Sequence, residues 1–241
     1  MKLKFIAAGA MAFACVGAAH AQSAGSFILS TGWFHLSPQD HSSEIEVVSR
    51  GGSPINQSIP NSGSSVDDSD TVGFTGTYFV TDNIAVEGVI GIPPKFDLNG
   101  QGVLAPYGKL GSAKQWSPTL LLKYYFLQAQ SRLRPYLGVG VSRVWFSDAA
   151  ITNDQFLANP LLGGPTSVDI KAKWVPVFNG GFTFQVTDHW YAGLSVSYLP
   201  LKTTATLTST SATPVGNLTS VSKADIKLNP IVTYINVGYR F

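Results

Sequence analysis

Ile231-Val232-Thr233-Tyr234-Ile235-Asn236-Val237-Gly238-Tyr239-Arg240-Phe241 ends the chain. At the two-residue period of a strand, Ile231, Thr233, Ile235, Val237, Tyr239 and Phe241 fall on one face, and Val232, Tyr234, Asn236, Gly238 and Arg240 on the other. The first face suits lipid and the second is mixed. A last strand tucked into a β-sandwich would alternate in the same way, so the reading turns on the ending. An exposed Phe, with a Tyr two places earlier, suits a membrane wall better than a packed edge.

The other end of the sequence agrees. Lys2 and Lys4 precede an apolar run from Phe5 to Ala19, which closes with Ala19-His20-Ala21 before Gln22. That is the basic region, apolar core and small-residue cleavage site of a secretory signal, so residues 1–21 are expected to be removed. Cys15, the single cysteine, lies inside that segment, which leaves no disulfide and no thiol chemistry. Ala12-Phe13-Ala14 before Cys15 departs from the Leu-led approach of a lipidation site. The 16 basic residues, less Lys2 and Lys4, balance the 14 acidic ones, so charge makes no case for nucleic acid.

Charged residues are 12% of the chain, against about 25% in an ordinary soluble domain. Yet no stretch after residue 21 approaches the roughly 20 apolar residues of a membrane helix. Few charges, many glycines and aromatics, and no helical span fit an antiparallel transmembrane β-barrel, whose lipid-facing residues are diluted by alternation. Residues 22–241 suffice for eight strands in a single barrel domain.

A first strand runs from about Ser26 to Ser37 and stops at Pro38; residues 38–70, rich in Ser, Gly, Asn, Asp and Pro, read as a long loop. The second (Thr71 to Val80) turns through Thr81-Asp82-Asn83 into the third (Ile84 to Ile92), which Pro93-Pro94 ends. A Gly-rich loop from Lys95 to Gln115 leads to the fourth (Trp116 to Leu127), and a polar turn at Gln128 to Arg134 to the fifth (Pro135 to Ser147). Residues 148–168 read as a loop with a helical turn near Asp154 to Ala158. The sixth (Asp169 to Val186) turns through Thr187-Asp188-His189 into the seventh (Trp190 to Lys202). A Thr/Ser tract from Thr203 to Ser222 reads as the last loop, and the eighth strand starts near Ala224 with a phase slip at Asn229-Pro230. Short and long connections therefore alternate, as periplasmic turns and four long extracellular loops do in outer-membrane barrels. Val80-Thr81-Asp82-Asn83 and Val186-Thr187-Asp188-His189 repeat one turn, attributed to Asp and Asn bonding their own backbone.

The chain resembles the OmpW family of eight-stranded outer-membrane proteins. The matching stretches are Ala24-Gly25, Thr81-Asp82-Asn83-Ile84-Ala85-Val86-Glu87, Ser117-Pro118-Thr119-Leu120, Arg134-Pro135-Tyr136-Leu137-Gly138-Val139-Gly140, Leu228-Asn229-Pro230 and Gly238-Tyr239-Arg240-Phe241. The resemblance implies a narrow barrel in the bacterial outer membrane, in contact with its lipid, with an apolar channel for passive uptake of small hydrophobic molecules and no cofactor. The terminal strand also resembles the signal that barrel-assembly machinery reads from a final aromatic, here Phe241. The long Ser-rich first loop and Thr-rich last loop depart from the family's pattern.

Enzymatic readings lack an inventory. After the signal the histidines are His35, His41 and His189; the first two lie near Asp40, but one sits on a strand and the other in a loop, which makes a poor metal site. Gly138-Val139-Gly140 has no helix after it and is a strand glycine pair, not a phosphate cradle.

Strand phase divides the lumen. Inward residues near the periplasmic turns, including Glu87, Lys123, Asn179 and Arg240, are polar; Glu87, Lys123 and Arg240 are assigned to a charged floor. Higher up, Phe34, Leu36, Val144, Phe146, Val175, Val177, Leu199 and Leu201 are apolar and form the expected ligand-binding set. An eight-stranded barrel is too narrow for a general aqueous pore. It is either a filled barrel whose loops meet a host, phage or toxin, or an apolar funnel open to the outside. The funnel is the reading adopted, and its charged floor requires a side exit. Pairing centred on Asp188 sets Pro176 opposite Pro200, where missing N–H groups would weaken the wall, so these two mark the expected lateral exit; the alternative is that they mark bends.

Overall fold

Alternation of the expected kind produces eight barrel strands: β1 (Phe27–Ser37), β2 (Ser69–Phe79), β3 (Ile84–Gly91), β4 (Thr119–Tyr125), β5 (Leu133–Ile151), β6 (Lys173–Gln185), β7 (Trp190–Tyr198) and β8 (Ile231–Arg240). Each pairs antiparallel with the next, and β8 pairs with β1 from Ser37↔Ile231 to Ile28↔Arg240, so the sheet closes without an edge. The computed structural model describes residues 22–39, 41–158, 166–213 and 216–241. The segment expected to be a secretory signal, with Cys15, lies outside the described residues, as does Asp40.

The outer face is the inverse of a soluble protein's. Leu29, Phe74, Leu120, Leu122, Leu137, Val139, Phe178 and Ile235 are all exposed, a pattern that only a lipid surround satisfies. At the rim that carries the short turns Phe241 stands beside Tyr239 (5.1 Å between centroids), and its backbone N–H bonds to the Phe27 carbonyl (3.0 Å). Near the opposite rim Trp116 and Trp145 stack at 5.8 Å, and the Arg143 guanidinium lies 5.3 Å from the Trp174 ring. These two aromatic zones bound the lipid-facing band.

The repeated turn is one structure used twice. Val80 N–H bonds to the Ile84 carbonyl and Val186 N–H to the Trp190 carbonyl, at 2.8 and 2.9 Å. The side chain that closes each is a threonine: Thr81 Oγ1 accepts from Ile84 N–H (2.9 Å), and Thr187 Oγ1 from Trp190 N–H (3.1 Å). The expectation that Asp and Asn do this is corrected, because the hydroxyl sits three residues before the amide it reaches.

The larger correction is beyond the lipid-facing band, where three of the four stretches read as loops are mostly strand. The tract at 203–222 is a hairpin, Lys202–Thr213 against Gly216–Lys227. Residues 38–70 contain Glu46–Arg50, Ser53–Ser58 and Ser62–Val66, and 95–115 contain Lys95–Gly102 and Lys109–Trp116. Only the helical turn at Asp154–Leu157 was expected there. Polarity hid these strands: Thr and Ser carry no apolar alternation, yet the β-branched Thr favours extended backbone. The strands extend the barrel outward, with β5 continuous through both parts. Pro38, Pro94, Pro118, Pro200 and Pro230 fall in the breaks between the membrane strands and this extension. Proline cannot donate to a ladder, so the level at which the wall is re-registered is the level where prolines collect.

Candidate functional site

The lumen is closed below by a built polar floor. Lys123 Nζ is 2.6 Å from Glu87 Oε1, and Thr77 Oγ1 donates to Glu87 Oε2 at 2.7 Å. Both charged side chains are less than a tenth exposed, and the ammonium also lies 4.3 Å from the Tyr136 ring. Neighbouring strands set this up: β3 and β4 pair with Glu87↔Leu121 and Ala85↔Lys123, one inward step apart. Beneath them Phe79, Tyr125, Tyr136 and Tyr191 pack as one buried cluster with Ile28 and Ala85.

Arg134, only 1% exposed, locks the bottom. It donates to the carbonyls of Gln22 (2.8 Å) and Asp82, while its guanidinium lies 5.2 Å from the Tyr125 ring. Gln22 in turn donates to Thr183 Oγ1 at 2.9 Å, which ties the first described residue across the barrel. Arg240, assigned to the floor from phase, is buried at the end of β8. Arg134 and Gln22 were missed because one was read as a turn residue and the other as the residue after a cleavage site.

Above the floor the lumen opens into a cavity of about 410 Å³, with Glu87, Asn179 and Ser195 at its polar end and Leu36, Val89, Leu121 and Leu199 at its apolar end. Phe34 lines it too, stacked on Tyr234 at 3.8 Å and 7°. A second cavity, of about 110 Å³, lies in the extension built by the long connections, among Leu98, Leu104, Leu110, Phe156, Ala205 and Ile226. The Asn153 cap builds part of it: Oδ1 accepts from Phe156 N–H (2.8 Å) and Nδ2 donates to the Tyr107 and Lys109 carbonyls, which seats Phe156 against Leu104 and Leu110. The period-two pattern of Ala224, Ile226 and Leu228 was the signal available for this cavity.

The expected ligand-binding residues therefore divide. Phe34, Leu36, Val177 and Leu199 line the lower cavity, and Phe146 the upper. Val144, Val175 and Leu201 line neither; they are buried in an apolar cluster with Leu121, Leu199 and Leu228. Phase put these three inward, where they pack against one another and against Leu228 instead of facing open space.

Two weak places occur in the wall. The β6–β7 ladder ends at Phe178↔Tyr198, and Pro176 and Pro200 lie just above it, Pro176 paired with Val141 of β5 and Pro200 in the break after β7. The β3–β4 ladder ends at Val89↔Thr119, below Ile90 and Pro118. Here Val89, Ile90, Pro118, Thr119 and Trp145 line both the lower cavity and a groove on the outer surface, so cavity and lipid face approach through one seam. His35, considered as a metal ligand, instead lies 2.8 Å from Asp70 Oδ1 at the base of the first connection.

Residues 23–241 match the model of the OmpW family. The outer membrane protein AlkL of Ectopseudomonas oleovorans is 31% identical over 183 residues, covering 76% of this chain and 71% of that protein. The dibenzothiophene metabolism operon protein PahQ of Pseudomonas aeruginosa is 27% identical over 186 residues, 77% of this chain and 78% of the relative. The crystal structure of the outer membrane protein OprG from Pseudomonas aeruginosa superposes with a TM-score of 0.77 at 28% identity, covering 92% of this chain and 98% of that one.

Proposed function

This chain belongs to the OmpW family and is a β-barrel of the bacterial outer membrane, and from that premise we propose that it is a passive, non-enzymatic channel for small hydrophobic molecules. The observation that carries the proposal is the lower cavity: apolar above, polar below, and closed toward the periplasm by the Glu87–Lys123 floor. A solute drawn in by apolar burial gains about 25 cal/mol per Å² on leaving water and meets a floor it cannot solvate. Its way out is sideways into lipid. The relative named for a dibenzothiophene metabolism operon supports an apolar, aromatic-sized solute. Assembly through the strand that ends at Phe241 belongs to the same proposal.

Release at the seam between β3 and β4 has the cavity's support, since Ile90 and Pro118 face both the lumen and the outer groove. Release at Pro176 and Pro200 would require Val175, Val177, Leu199 and Leu201 to part. Uptake of apolar and polar solutes of matched size, by cells displaying the full chain, tests the whole reading: apolar entry should rise over cells without it and polar entry should not. Equal passage of both, or of neither, would reject the channel. Changing Pro176 and Pro200 together to Val should leave apolar uptake intact if the β3–β4 seam is the exit, and slow it if the prolines are.

A further inference from the structure

Gln115 is 4% exposed, and together with Pro230 it lines both the upper and the lower cavity. It is thus at the passage between them. Its backbone is fixed, with N–H donating to the Pro94 carbonyl at 3.0 Å and Phe146 opposite in register on β5. Its side-chain amide has no hydrogen-bond partner among the described residues. An amide carries two donors and an acceptor, and this one is not sealed away but reaches open space at a mostly apolar passage, so a hydrogen-bonding solute has something to gain there. The surrounding wall offers Phe146, Leu228 and Pro230, whose carbonyl already accepts from Leu199 N–H at 3.2 Å.

We infer that Gln115 is a hydrogen-bonding station for the solute, and that the chain admits uncharged apolar molecules bearing one hydrogen-bonding oxygen in preference to pure hydrocarbons. The inference rests on the channel reading and narrows its substrate class. A ketone entering a mostly apolar passage loses the hydrogen bond that water gave its oxygen, and the Gln115 amide N–H, between the two cavities, replaces it. An alkane has no such loss to make good.

The test compares uptake of labelled 2-octanone and octane by cells displaying the full chain, in wild type and in Gln115→Met, which keeps the length and removes the amide. Wild type should favour the ketone. Gln115→Met should lower the ketone-to-alkane ratio about fivefold, the worth of one neutral hydrogen bond, with octane uptake unchanged. An unchanged ratio overturns the inference, and so does an equal fall for both solutes, which would make Gln115 a packing residue. Failure of wild type to admit either solute would overturn the channel reading itself, a result distinct from both.

Discussion

Glu87 and Lys123 carry most of the floor's electrostatics, and each is buried on the assumption that the other is present. Replacing Lys123 with Met strands the Glu87 carboxylate with Thr77 as its one remaining hydrogen-bond donor. The expected loss is about 3 to 5 kcal/mol in reversible unfolding by urea in lipid vesicles. Replacing Glu87 with Gln as well should recover much of that, because the stranded charge is then gone. A double variant no more stable than the single would argue that the pair is not the source. The pair was legible from sequence because inward phase on adjacent strands is enough to bring two side chains together. Gln115 was not legible, since it closes a Gly-rich stretch without alternation, and nothing in that stretch says which face is inside.

Among the elements, close approach between strands sets the shape of the lower cavity. On β2, Gly73 stands where a Cβ would run into the Phe34 ring, and that ring is held from its other face by Tyr234. Gly73→Ala should therefore force a shift that costs about 1 to 3 kcal/mol. The ring has the cavity to move into, so apolar uptake should fall more than assembly does, as read by the mobility of folded barrel on unheated gels; unchanged uptake would mean that Phe34 does not bound the path. Seven of the eight membrane strands could be read to within about four residues because lipid demands alternation, while the eighth, read from near Ala224, starts at Ile231 because Ala224 to Lys227 belong to the outer hairpin. The extracellular strands could not, because a sheet of Thr and Ser needs only its ladder, and the hairpin of Lys202–Thr213 with Gly216–Lys227 leaves no apolar signature along most of its length. The same limit applies to Val144, Val175 and Leu201: phase says that a side chain points inward, but not whether the opposite wall is near enough to fill the space.

At the scale of the whole molecule the barrel is closed below, so on the proposed function transport would depend on one seam yielding. The last rung of the β3–β4 ladder, Val89↔Thr119, is the hinge of that seam, and both residues face the cavity and the outer groove. Cysteines at these two positions would form the only pair in residues 22–241, because Cys15 is the one native cysteine. Opposed antiparallel residues have Cα atoms about 4.5 to 5.5 Å apart, within the span that a disulfide bridges. Oxidation would staple the strands at the rung from which they must part, leaving the floor and both cavities as they are. Apolar uptake by the oxidised Val89→Cys, Thr119→Cys protein should fall severalfold below that of either single variant and return on reduction. A stapled barrel that takes up solute at the full rate would mean that the strands do not separate there, and would move the exit to the break above Phe178 and Tyr198, where Pro176 and Pro200 lie.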